Sequence, residues 1–156
     1  MPSMTLKNLK VFLDTSVIFA AVLSKTGGAR KLFHLGESEV LHLIVGPTVL
    51  RQADEVVRRK VPASVPTLAQ LLSIGQVETA PISIKKQLEL ARALVRYPPD
   101  ARVLAEAIRG NPDWFITHDK EHFLRMQSEI DLPFRIGTPG DFLQNIKDDF
   151  VALELE

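Results

Sequence analysis

At 156 residues the chain has the length of one domain, and it carries enough apolar sequence to bury a core without covalent staples. Apolar residues make up 46% and charged residues 24%, which excludes a disordered chain; the absence of cysteine excludes a disulfide framework, a zinc ribbon and thiol catalysis. Lys+Arg and Asp+Glu balance at 19 each, so no global field draws in nucleic acid, and any such binding falls to local patches.

The opening MPSMTLKNLK has no apolar signal segment, and the longest apolar run, 17–23, is too short to span a bilayer. A cytoplasmic location without membrane association is the expectation. One domain is expected over 1–156, with its core at about 10–147. The first strand covers 10–13 and ends at Asp14. A helix over 16–23, closed by Gly27-Gly28, and a second over 29–36 lead to a strand over 41–45. The next helix, 47–60, has Pro in its first turn, where the missing N–H costs nothing, and Val49, Leu50, Ala53, Val56 and Val57 form one apolar stripe.

Pro62 and Pro66 mark a break, followed by a short helix over 67–73, an edge-like strand over 76–80 and a helix over 83–96. The segment 61–97 carries no catalytic set and reads as a helical clamp or partner surface. A helix opening at Asp100 runs to Arg109 with Val103, Leu104, Ala107 and Ile108 inward, and Gly110 closes it. A strand over 114–117, a helix over 119–127, a strand over 134–136 and a helix over 139–146 complete the order. Strands alternating with helices predict α/β architecture with a central, mostly parallel sheet.

The acids fall at informative places. Asp14 closes the first strand, Asp119 and Glu121 lie just past the strand carrying Thr117, and Asp100 opens a helix between them. Ligands of open α/β sheets bind outside the carboxyl ends of the strands, so these distant acids would converge. Carboxylates that share a small space oppose joint ionisation, and a divalent cation resolves the conflict. Oxygen ligands without cysteine select Mg²⁺ or Mn²⁺, and such a centre suits phosphate ester cleavage. Helix capping alone would also place Asp100 and Asp119 where they are, whereas an acid closing a strongly apolar strand, as Asp14 does, is unfavourable unless something binds it.

Three blocks in order, Leu13-Asp-Thr-Ser-Val17, Asp100 with Arg102-Val-Leu-Ala-Glu-Ala107, and Phe115-Ile-Thr-His-Asp-Lys-Glu121, resemble the signature blocks of PIN domains, over about 11–142. The resemblance implies a three-layer α/β/α fold and a Mg²⁺- or Mn²⁺-dependent endoribonuclease acting on RNA. Many small members are toxins of bacterial toxin–antitoxin pairs, inhibited by a small antitoxin protein, and are often homodimers. Carried over, Asp14, Asp100 and Asp119 match the metal-site aspartates, Glu121 a fourth acid, and Ser16 and Thr117 supporting polar positions. One position departs: Gln52 stands where the family usually has Glu, which implies weaker metal binding and a rival reading as a nucleic-acid- or protein-binding module. Helix geometry sets Gln52 beside the buried stripe, and Glu55 is the nearest acidic stand-in.

Other patterns carry less. His118-Asp-Lys-Glu-His122 spells H-x-x-E-H, but zinc hydrolysis needs both histidines on one helical face and a third ligand, and His118 directly follows a strand. Arg51, Arg58, Arg59 and Lys60, with Arg30 and Lys31, form the best basic cluster for phosphate contacts, and a solvated helix face would read the same. Trp114 beside a strand reads as packing. A phosphoacceptor receiver domain also gathers acids at strand ends, but Thr15-Ser16 after Asp14 and Gly137-Thr-Pro after the last strand speak against it.

Overall fold

Val11, Phe12 and Leu13 are fully buried, so the strand β1 (Leu9–Leu13) reads as a continuous apolar run and not as an alternation. That is the signature of a strand covered on both faces. β1 is accordingly central. It pairs in parallel with β2 (Leu41–Val45) on one side and β4 (Trp114–Ile116) on the other. β3 (Glu78–Thr79) lies beyond β2 and β5 (Arg135–Gly137) beyond β4, giving the order β3-β2-β1-β4-β5. Every pairing among the described residues is parallel. The computed structural model describes residues 9–126 and 132–155, with side chains through residue 148; the expected helical residue Gln127 lies outside them.

Helices cover both faces of this sheet, making three layers: α1 (Thr15–Leu23), α2 (Gly28–Glu37), α3 (Pro47–Lys60), α4 (Val65–Ile74), α5 (Lys85–Leu94), α6 (Pro98–Gly110) and α7 (Pro139–Leu155). α3 starts and stops where its sequence predicts, and buries Val49, Ala53 and Val57 along one stripe. The segment 61–97 holds a 3₁₀ turn (Pro62–Ser64), α4, β3 and α5, so it contributes an edge strand as well as helices. No helix among the described residues is long and apolar enough to cross a membrane.

Four local expectations change. α6 begins at Pro98, not at Asp100: the two prolines fill its first positions, Tyr97 is the N-cap, and Asp100 sits inside the first turn. Its left-handed closing residue is Asn111, at φ 52° and ψ 54°, while Gly110 remains helical. The expected helix after Asp119 is a π-helical turn, Lys120–Leu124. α7 continues past Ile146 to Leu155.

An aromatic cluster sets the position of the π-turn. Phe115 of β4 packs at 5.4 Å on Phe12, 4.9 Å on Phe123 and 6.0 Å on Phe134. Phe123 belongs to the π-turn and is fully buried, so burying this one ring, worth about 1.5–3 kcal/mol, holds the turn against the sheet.

Candidate functional site

β1 and β4 end side by side, and the strand order reverses there, with β2 and β3 on one flank and β4 and β5 on the other. The backbone N–H of Asp14 still donates to Ile116 across the pair at 3.0 Å, while its carbonyl accepts from Val17 and Ile18 to start α1. Its side chain is 6% exposed. Oδ2 accepts the Thr117 hydroxyl at 2.7 Å and the Ser16 hydroxyl at 3.1 Å. Each hydroxyl accepts in turn: Thr117 from the N–H of Asp119 and Ser16 from the N–H of His118, both at 3.0 Å. The single proton of each hydroxyl is therefore directed at Asp14. Burial pushes the Asp14 carboxyl above the usual range and the Asp119 charge adds to this, against hydrogen bonds from Thr117, Thr15 and Ser16.

Asp119 caps the π-turn by accepting the N–H of His122 on Oδ1 at 3.0 Å. Its Oδ2 lies 3.0 Å from Nδ1 of the same histidine, and that nitrogen is 3.1 Å from Oδ2 of Asp100. One ring nitrogen carries at most one proton. The Asp119 contact has hydrogen-bond geometry and the Asp100 contact does not, so Oδ2 of Asp100 is a buried oxygen without a hydrogen bond. Burial pushes the Asp100 carboxyl up to about 6; His122 opposes this, and the charges of Asp119 and Asp14 reinforce it. The hydrogen bond to Asp119 holds the His122 imidazole above its ordinary value against some desolvation, with further help from Asp119, Asp100 and Glu121.

Three aspartates thus feel one another, and Asp100, Asp119 and His122 offer donor atoms within 4.8 Å of one another. The Asp100 oxygen, without a hydrogen bond among the described residues, and the Asp14 and Asp100 carboxyls, raised first by burial and then by neighbouring acid charge, describe carboxylates crowded where water solvates them poorly. That donor set, mostly oxygen with one imidazole nitrogen, fits a divalent cation such as Mg²⁺ or Mn²⁺.

The other expected residues are more dispersed. Glu121 is exposed on the π-turn and outside the trio of close donor atoms, acting on His122 only through its charge. Gln52 is partly buried, and its Oε1 accepts the Thr15 hydroxyl at 2.6 Å, one residue from Asp14. Glu55 is exposed. Arg58 is committed to Asp54 at 2.9 Å, Lys60 lies 5.7 Å over the Phe19 ring, and Arg51 and Arg59 are exposed. Arg30 donates to the Ala21 carbonyl at 2.8 Å. Trp114 is packing: it is buried edge-on against Phe142 with the Arg135 guanidinium 4.4 Å over its ring. His118 precedes the π-turn and is exposed, so it shares no helical face with His122.

The sequence singled out His122 only within the H-x-x-E-H pattern, and its spacing of three from a capping aspartate was the signal for its place here. Glu106 escaped the sequence reading. Glu106, 6% exposed, accepts the Thr48 backbone N–H at 2.7 Å on one oxygen and the Thr48 hydroxyl on the other. It thereby caps α3 from another helix. Gly46 makes room for it: a Cβ there would lie 2.7 Å from the Glu106 Cβ.

The PIN domain family model matches residues 10–121. No curated protein matches. Among solved structures, the crystal structure of VapBC2 from Rickettsia felis, bound to a DNA fragment from their promoter, is similar at a TM-score of 0.59 and 14% identity. The match covers 82% of this chain and 97% of that one, and at that identity it speaks for the fold. With the family model spanning most of the chain, including Asp14, Asp100 and Asp119, this protein belongs to the PIN domain family.

Proposed function

We propose that this PIN domain is a Mg²⁺- or Mn²⁺-dependent endoribonuclease, with Asp14, Asp100 and Asp119 holding the ion and Glu121 as an outlying fourth acid. The observation that carries this reading is the unsatisfied, buried Oδ2 of Asp100 facing two other carboxylates. Bound there, a divalent ion supplies charge neutralisation at the phosphoryl group and activation of water. The protein's own part is orientation. Thr117 and Ser16 fix the Asp14 carboxylate, and the buried Phe123 holds the turn that presents Asp119. Asp119 also orients the His122 imidazole through Nδ1, which sets the ring beside the carboxylates.

Labelled RNA incubated with the protein and Mn²⁺ is expected to be cut, and Asp14→Asn to abolish cutting. Intact RNA, or cutting indifferent to that substitution, sinks the assignment. A second reading, a weakened domain that binds nucleic acid or protein, draws on Gln52, whose carbonyl is already engaged by Thr15. Calorimetric titration separates the two: no saturable divalent binding at millimolar concentration, with activity gained in Gln52→Glu, favours the binding module.

The likeness to the VapBC2 assembly and the family's habits support a role as the toxin of a toxin–antitoxin pair, cytoplasmic and homodimeric, with an antitoxin protein as partner. Segment 61–97 is proposed as the clamp over the site. Co-expression with a short adjacent reading frame should relieve growth inhibition if this holds, and growth unaffected by the protein alone would count against it.

A further inference from the structure

Beside the carboxylate centre lies a groove whose walls include Arg96, Tyr97, His122 and Arg125. Tyr97 is the chain's one tyrosine, sits at the N-cap of α6, and is 57% exposed. Its ring stacks on His122 with centroids 6.1 Å apart and planes inclined by 22°. His122 in turn contacts Asp119 and Asp100, so the exposed face of Tyr97 is two rings from the acids. The backbone that carries the ring is constrained. Pro98 restricts Tyr97 to extended geometry, seen at φ −71° and ψ 116°, and the Tyr97 carbonyl accepts the Ala101 N–H at 3.0 Å.

An exposed ring continuing a stack, with two arginines lining the same groove, has the chemistry that receives an unpaired base and its phosphate. Arg96 and Arg125 line the same groove as the ring, and a nucleic-acid strand carries the opposite charge. We propose that this groove is a nucleobase subsite, in which Tyr97 stacks on an unpaired base of the RNA strand adjacent to the scissile phosphate. The proposal rests on the ribonuclease reading and adds to it a residue that positions substrate. It also gives the 61–97 segment, which ends at Tyr97, a role at the site.

The test is fluorescence anisotropy with a labelled single-stranded RNA ten-mer in Ca²⁺, which oxygen donors also hold, with the RNA checked intact by gel. Tyr97→Ala is expected to weaken binding by about 5- to 100-fold, the range of a lost base–aromatic stack. Tyr97→Phe keeps the ring and should stay within about twofold of the parent. On a strand of abasic residues, or on a duplex, parent and Tyr97→Ala should bind alike. In Mn²⁺ cleavage assays Tyr97→Ala should raise KM more than it lowers kcat.

Unchanged affinity in Tyr97→Ala overturns the subsite and leaves the groove to a protein partner, while Mn²⁺-dependent cutting by the parent keeps the nuclease reading. An equal loss on the abasic strand, or in Tyr97→Phe, also overturns it. A parent protein that neither binds nor cuts RNA brings down both readings together.

Discussion

Two carboxylates on one helix behave in opposite ways. Asp100 and Glu106 both belong to α6, about 9 Å apart along its axis, and both are largely withdrawn from water. Glu106 has a partner for each oxygen, and both partners belong to Thr48 at the start of α3, where the helix dipole also favours a negative charge. Asp100 keeps an oxygen without a hydrogen bond and faces the charges of Asp119 and Asp14. Glu106 is hydrogen-bonded on both oxygens, whereas the nearest group to Oδ2 of Asp100 is the His122 ring, 3.1 Å away and without hydrogen-bond geometry. A buried acid's completeness, more than its burial, separates scaffold from site.

The sharpest way to break this contrast is substitution at each acid. Asp100→Asn should cut Mn²⁺-dependent cleavage by roughly 10²- to 10³-fold, the scale of one lost electrostatic contact to a transition state. Its melting temperature in EDTA should hold or rise, because like-charge repulsion is relieved. Glu106→Gln should do the reverse: urea titration is expected to register a loss of about 1–3 kcal/mol, with cleavage per folded molecule unchanged. Equal behaviour of the two variants in both assays would erase the distinction. Thr117→Val removes a hydroxyl that orients Asp14 and should weaken Mn²⁺ binding by about 10- to 100-fold in calorimetry.

The smallest expected effect is on pH dependence. Asp100 and Asp14 have carboxyls raised by burial, so around pH 4–6 the folded state holds protons that the unfolded state has lost. That contribution to stability is complete below the unfolded carboxyl range and is lost as pH rises through the folded values. His122, held above the ordinary imidazole value, contributes with the same sign and loses its share as pH rises through its folded value. Metal-free protein should therefore melt at lower temperature near pH 8 than near pH 5, on these groups' account. Saturating Mn²⁺ favours the deprotonated ligands and should flatten or reverse the slope. A slope of the same size with and without the ion would speak against binding at these carboxyls.

Much of the scaffold was legible in the sequence. Five strands, the parallel sheet and the span of α3 follow from apolar runs and proline placement, which report burial directly. The convergence of Asp14, Asp100 and Asp119 was legible too, because strand ends dictate where a parallel sheet binds ligands. Its fine detail was not. Nothing local distinguishes a π-turn from an α-helix at Lys120–Leu124; the buried Phe123 and the Asp119 cap decide it. Asp100 looked like a cap because two prolines precede it, yet prolines are also at home in a helix's first turn. Glu106 stayed hidden because its partner, Thr48, lies 58 residues away on another helix. The full role of Gln52 likewise depends on Thr15, which is remote in sequence.

The order of the strands has a consequence in time. Asp14 comes early, but β1 gains its β4 neighbour, and the acid cluster gains Asp119, only after more than a hundred further residues have been joined. A chain that stops short of Trp114 carries Asp14 and Asp100 but lacks both β4 and Asp119. The three aspartates therefore meet only late in the chain's synthesis, once its last third has been joined.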